Sequence, residues 1–148
     1  MDGHHEDVAD DDVSVGSVVP MHELLALEFD DFVPGRHTAE VRMPVRPEAL
    51  GITGSLHGGA IATMVDLACA LAAAQASGFD ASRESLVTAD MHVRYLGRPL
   101  TGVVVARAQV VKVGRQLIVI ECRVSDTDDH VIAAADFSMM RVPLRTPD

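Results

Sequence analysis

Polar and apolar positions alternate along most of this chain, and the one long interruption is a run that is apolar almost all round. Ala39, Val41, Met43 and Val45 alternate with Glu40, Arg42 and Pro44, the pattern of a half-buried strand ending at Arg46-Pro47. Residues 86–96 alternate around Val87, Ala89, Met91, Val93 and Tyr95. Residues 102–113 are long and rich in Val, and residues 117–124 and 131–142 flank Ser125-Asp126-Thr127-Asp128-Asp129, whose side chains favour a tight reversal. The interruption is residues 60–76, which hold Ile61, Met64, Val65, Leu67, Cys69, Leu71 and a crowd of alanines. Such a run predicts a helix from Gly58 to Ala76, closed near Ser77-Gly78 by a glycine suited to a left-handed cap. A short amphipathic turn is expected over residues 21–27, and a loop over 47–55 with Gly51 and Gly54. The predicted order is strand, strand, helix, then a meander of four strands. One long helix against an antiparallel sheet is an α+β domain. A helix apolar almost all round requires the sheet to wrap it closely.

One acid, Asp66, lies about two turns into that helix. A charge there is costly unless exposed, paired or used. Its neighbours at three and four residues are Ala62, Thr63, Cys69 and Ala70, a small-residue face that leaves room for another backbone or a ligand. Asp66 reads either as the acid on the helix's wet stripe or as a working carboxylate. At the helix start, Gly58 and Gly59 leave backbone N–H groups unpaired and pointing outward, where the helix dipole favours negative charge. An N–H cradle and a carboxylate are the parts needed to polarise a carbonyl and attack it. His57 reads as a support for the loop or substrate, or as a helix cap. Gly58 and Asp66 are eight positions apart, about 12 Å along a helix. One carbonyl cannot touch both groups of one helix. If both act, each site combines Gly58 of one chain with Asp66 of another, and two-fold symmetry creates two equal sites.

Composition narrows the alternatives. The chain has 148 residues, enough for one domain with a respectable core, and 48% of them are apolar. Its formal charge of −10 argues against binding a phosphate backbone, and 3% aromatics against a base-stacking platform, so no nucleic acid is expected. Asp2, Glu6, Asp7, Asp10, Asp11 and Asp12 place more than half of that excess in an N-terminal tail, residues 1–19, expected to be flexible and separate from a domain over 20–148. Cys69 and Cys122 lie in apolar stretches and form no Cys-x-x-Cys pair. They read as small buried hydrophobes in a reducing compartment, with a disulfide between them open but unneeded. The start of the chain has acids where a secretory signal needs basic residues, so a cytoplasmic location is expected. The helix approaches membrane-spanning length, but Asp66, Thr63 and the leading glycines argue against a span. No set of Cys, His and carboxylates has ligand spacing, and no metal is expected.

Several of these residues together resemble a known family. Gly54-x-x-His57-Gly58-Gly59-Ala60, the acid at Asp66, Val87-Thr88-Ala89-Asp90-Met91, Tyr95-Leu96-Gly97-Arg98-Pro99 and Val113-Gly114-Arg115 are similar to segments of hot-dog-fold acyl-CoA thioesterases of the phenylacetate-pathway (PaaI-like) type. The resemblance spans about residues 20–142. It implies a curled antiparallel sheet around one central helix, hydrolysis of an acyl- or aryl-CoA without a cofactor, and subunits paired as dimers or tetramers. It implies Asp66 as base or nucleophile, Gly58 as oxyanion donor, Thr88 as holder of the attacking water and His57 as a support. Gly59 is expected near the substrate, and Arg98, Lys112 and Arg115 are expected to meet the coenzyme A phosphates; each of these cations is equally a solvated loop charge. Related enzymes often carry Asn or Gln six residues before the motif histidine, where this chain has Gly51. That departure leaves a second reading open, a hot-dog domain that binds acyl-CoA without cleaving it.

Overall fold

The computed structural model describes residues 18–145, so the acidic segment 1–17 lies outside the described residues. A short helix α1 (Pro20–Leu24) leads into β1 (Glu28–Phe29) and β2 (Thr38–Pro44). A single 3-10 turn, Pro47–Ala49, precedes α2 (Gly58–Ser77), followed by β3 (Glu84–Tyr95), β4 (Val103–Val113), β5 (Leu117–Asp126) and β6 (Val131–Pro143). All pairings are antiparallel, in the order β1-β2-β4-β5-β6-β3. The sheet curls around α2, which touches β2, β3, β4, β5 and β6.

The hydrophobic pattern translates directly into packing. Along β2, Ala39, Val41 and Met43 are buried, as expected of a strand with one face on a core. They meet Met64, Val65, Ala68 and Ala72 of α2 in a cluster completed by Ile118, Ile120 and Phe137. Gly78 ends α2 with φ 59°, the left-handed conformation in which glycine carries no Cβ penalty. The helix is long and apolar enough to cross a membrane, yet half of that apolar stretch is buried inside the fold. Gln75, also buried, accepts from Val33 N–H and donates to the Thr38 carbonyl, both at 2.9 Å, and so ties the β1–β2 connection to the helix.

Three sequence expectations need correction. The four strands after α2 do not form one meander: β4, β5 and β6 do, while β3 pairs with β6 at the far edge of the sheet. The sheet does not close around the helix completely, because Ala62, Thr63, Asp66, Leu67 and Ala70 remain partly exposed. The reversal after β5 is shorter than expected, since Ser125 and Asp126 still belong to the strand and are buried.

Asp126 is the knot of that corner. Its Oδ2 accepts from Leu100 N–H at 2.8 Å, and its Oδ1 accepts from Asp128 and His130 N–H at 3.0 Å. Burial opposes its charge, but these three donors and the nearby His130 outweigh it and hold the carboxyl below the usual carboxylate range. The contact fastens the segment after β3 to the β5–β6 turn. A depressed pKa in the folded state makes this stabilisation present at neutral pH and lost as pH falls through that lowered value. Asp126→Asn would turn an NH₂ towards one of the three donors. We expect it to melt below wild type at pH 7, with the gap narrowing in acid. Equal melting temperatures at pH 7 would refute the assignment.

Candidate functional site

Two groups of residues meet along the seam between α2 and β3. At one end, Thr88 donates its hydroxyl proton to Asp66 Oδ1 at 3.0 Å. At the other, Tyr95 donates to the Gly58 carbonyl at 3.0 Å. The seam thus carries a carboxylate with a hydroxyl partner about two helical turns from the helix N-terminus.

A backbone irregularity makes this arrangement possible. Side chains alternate faces along a strand, so positions 88 and 95, seven apart, would ordinarily point in opposite directions. Thr88 pairs with Met139, Asp90 with Ser138 and Tyr95 with Ala133, which leaves Ala89 as the extra residue of a β-bulge. The bulge resets the alternation, and Thr88, Met91, Val93 and Tyr95 all face the helix. Neither the bulge nor its effect is visible in the hydrophobic pattern, because Val87, Ala89 and Met91 suggest unbroken alternation.

His57 is the N-cap of α2, and its Nδ1 accepts the Gly59 N–H at 2.9 Å. That bond commits the Gly59 N–H and leaves Gly58, the first helical residue, as the glycine whose N–H finds no partner among the described residues. Gly58 borders a cleft of about 310 Å³ lined by Ser55, Leu56, Ile61, Tyr95, Gly97 and Arg98. His57 and Gly59 face the other way, into an apolar groove of about 230 Å³ with Met21, Leu24 and Leu25. Arg98 therefore lies at the Gly58 end of the seam. Lys112 and Arg115 lie at or beside the β4–β5 hairpin, whose end residues Val113 and Ile118 share a row of the sheet with Met139 and Thr88. Within one chain the three cations form no common patch.

Cys69 and Cys122 are buried free thiols in mutual contact. The Cys122 thiol, burial and the nearby charge of Asp66 all push the Cys69 thiol upwards, which disfavours a thiolate nucleophile. Among the described residues no group of His, Cys, Asp and Glu is placed to hold a metal ion.

Comparison with known proteins gives this geometry a family. The Thioesterase superfamily matches residues 53–133, which span α2, the seam and most of the sheet, and the chain belongs to that superfamily. A mutant thioesterase from Pseudomonas aeruginosa is similar at 27% identity and a TM-score of 0.75, over 84% of this chain and 86% of that one. A thioesterase family protein from Silicibacter pomeroyi is similar at 26% identity and a TM-score of 0.72, over 85% and 91% of the two chains. A thioesterase from Haemophilus influenzae shares the fold at 21% identity and a TM-score of 0.74, over 85% of each. The curled six-stranded sheet with one long helix is the hot-dog architecture.

The tightness at Gly59 gives a test of the cap. A Cβ there would lie 2.9 Å from His57 Nδ1 and 3.1 Å from Cε1, so the imidazole would have to leave. Alanine is better than glycine inside a helix by about 1 kcal/mol, and losing the cap costs about 1 kcal/mol. Gly59→Ala should therefore gain no stability, and His57→Ala should lose about 1 kcal/mol in denaturant melts. A Gly59→Ala protein clearly more stable than wild type would rule the cap out.

Proposed function

We propose that this protein is an acyl-CoA thioesterase of the PaaI-like branch, cleaving an acyl- or aryl-CoA to free acid and coenzyme A without a cofactor. The observation that carries the reading is the Thr88–Asp66 hydrogen bond, set on the same seam as the Gly58 N–H, which has no partner among the described residues. Asp66 acts as general base on a water held by the Thr88 oxygen. The water oxygen attacks the thioester carbon, and the carbonyl oxygen gains negative charge against the Gly58 N–H. Collapse of the tetrahedral species breaks the C–S bond, and the proton taken by Asp66 passes to the leaving sulfur. Direct attack by the Asp66 carboxylate is the other route these residues permit. His57 supports the cradle by capping its helix. The protein is expected to work in the cytoplasm.

Each site needs two chains, because Gly58 and Asp66 stay about 12 Å apart on one straight helix. β3 is suited to supply the second chain. It is a twelve-residue edge strand, with exposed Val87, Met91 and Tyr95 along it. A long unpaired edge of this kind invites another strand. Antiparallel pairing of two β3 edges, centred near Met91 and His92, would set Tyr95 of one chain beside the bulge at Thr88 and Ala89 of the other. The Gly58 cradle would then face Asp66 of the partner subunit. The same pairing puts Arg98 at the end of the assembly where Lys112 and Arg115 of the partner subunit lie, a local positive patch suited to coenzyme A phosphates. A dimer is the minimum, and a tetramer of two such dimers would keep the same sites.

Gly51 supports a second reading, a domain that binds acyl-CoA without hydrolysing it. It stands beside His57, with the added-Cβ position 3.5 Å from His57 Cα, and offers no side-chain amide to the thioester. Removing one such donor from an enzyme costs about two to three orders of magnitude in rate.

A panel of acyl- and aryl-CoAs with thiol detection separates the readings. At least one should be turned over by wild type and lost in Asp66→Asn, and calorimetric binding without turnover would favour the second reading. Shared sites predict complementation. Gly58→Val and Asp66→Asn proteins should each be nearly inactive, and mixing them under subunit exchange should restore up to about a quarter of wild-type activity, since half the random dimers are mixed and each holds one intact site. No recovery after demonstrated exchange would mean that one chain builds a whole site.

A further inference from the structure

Tyr95 is the only tyrosine in the chain, and it is held where burial alone would not hold it. Within one chain more than half of it is exposed, at 54%, so little apolar burial by its own chain fixes its ring. What fixes it is Gly58: the hydroxyl donates to the Gly58 carbonyl, and the ring atoms lie 3.5 Å from where a Cβ on Gly58 would stand. Glycine has the freest backbone of any residue, and the first turn of a helix is where backbone N–H groups lack intrahelical partners. A lone N–H on such a residue would wander unless both sides of it were restrained. On one side, the peptide that carries the Gly58 N–H is held by its own carbonyl, that of His57, which accepts from Ala60 and Ile61 N–H at 2.9 and 3.2 Å. On the other, the Gly58–Gly59 peptide is held at both ends, its carbonyl by Tyr95 and its N–H by His57 Nδ1.

The mount for Tyr95 is itself rigid. Leu96 and Gly97 both donate to the Ile132 carbonyl, at 2.8 and 3.2 Å. A Cβ on Gly97 would lie 2.9 Å from the Val131 carbonyl oxygen, so only glycine lets the chain run this close to β6. Three residues further on, Leu100 is fastened to the buried Asp126. The phenol is thus carried by backbone anchored on both β5 and β6, and is turned towards the helix by the bulge at Ala89.

We infer that Tyr95 is a positioning residue for the oxyanion cradle: its hydroxyl holds the Gly58–Gly59 peptide and ties Gly58 to β3, which keeps the Gly58 N–H at the cleft that Gly58, Ile61 and Tyr95 line together. The role rests on the thioesterase reading for its consequence in catalysis, but not for its consequence in the backbone. Removing the hydroxyl leaves the donor present and poorly aimed. Loss of a whole oxyanion donor costs about 10²–10³ in kcat, so loss of aim alone should cost less, on the order of tenfold. Because the cradle gains its strength only as charge develops, kcat should fall while KM stays within about twofold.

The test compares wild type, Tyr95→Phe and Asp66→Asn by steady-state kinetics on the best acyl-CoA of the panel, and wild type and Tyr95→Phe by ¹⁵N relaxation at the Gly58 amide. Tyr95→Phe keeps the ring and should melt with wild type. The expected result is a kcat about tenfold lower with KM unchanged, and a Gly58 order parameter falling from a rigid value near ~0.85 towards ~0.6, with Val65 and Ala68 unaltered. If wild type turns over, Asp66→Asn does not, and Tyr95→Phe matches wild type in kcat, the thioesterase reading stands and the role of Tyr95 is overturned. If wild type turns over nothing, the thioesterase reading falls, and the relaxation comparison alone decides: an unchanged Gly58 order parameter overturns the clamp, and a lowered one supports it.

Discussion

A single carboxylate on an otherwise apolar core helix sets the terms for this structure. Asp66 cannot be sealed inside the sheet with Met64, Val65, Ala68 and Cys69, because an unpaired charge in such a place costs more than the packing returns. The sheet therefore stays open along one flank of α2. The strand that borders the opening, β3, is left with an unpaired edge and exposed side chains. From this one constraint come the seam, the reach of Thr88 to the carboxylate, and an edge fit for a second subunit.

The second determinant is the way the helix begins. Two adjacent glycines leave the N-terminus loose, and the fold offsets that looseness with two side chains. The imidazole of His57 takes one N–H, and the phenol of Tyr95 takes one carbonyl. The supports are graded by depth. His57 and Tyr95 sit at the surface, whereas Asp126, which steadies the segment following Tyr95, is buried and satisfied by three backbone donors.

What could be read from residues alone follows a physical boundary. The helix from Gly58, its glycine cap and the half-buried β2 were legible because periodicity and capping are local signals. So was the separation of Gly58 from Asp66, which depends only on helical rise. The position of β3 beside β6 was not legible, since nothing in either strand's own pattern names its neighbour. Nor was the approach of Tyr95 to Gly58, which spans 37 residues and depends on a bulge that the pattern of Val87, Ala89 and Met91 conceals. Asp126 looked like a turn former. Its burial follows from β5 running on as far as Asp126, the last residue of the strand.

The bulge at Ala89 also bears on how this chain can change over time. Because it shifts the alternation by one, the residues before and after it are yoked to a length rather than to a composition. A substitution in β3 alters one side chain. Loss of Ala89 itself would leave Thr88 and Tyr95 six apart, an even spacing that keeps both on the helix face of an unbroken strand, whereas loss of a residue between Asp90 and Arg94 with the bulge kept would put them on opposite faces. Drift by loss of one residue is therefore open to this segment only if the bulge goes with it. A descendant that lost the extra residue would keep both the pairing with β6 and the two side chains on the helix face.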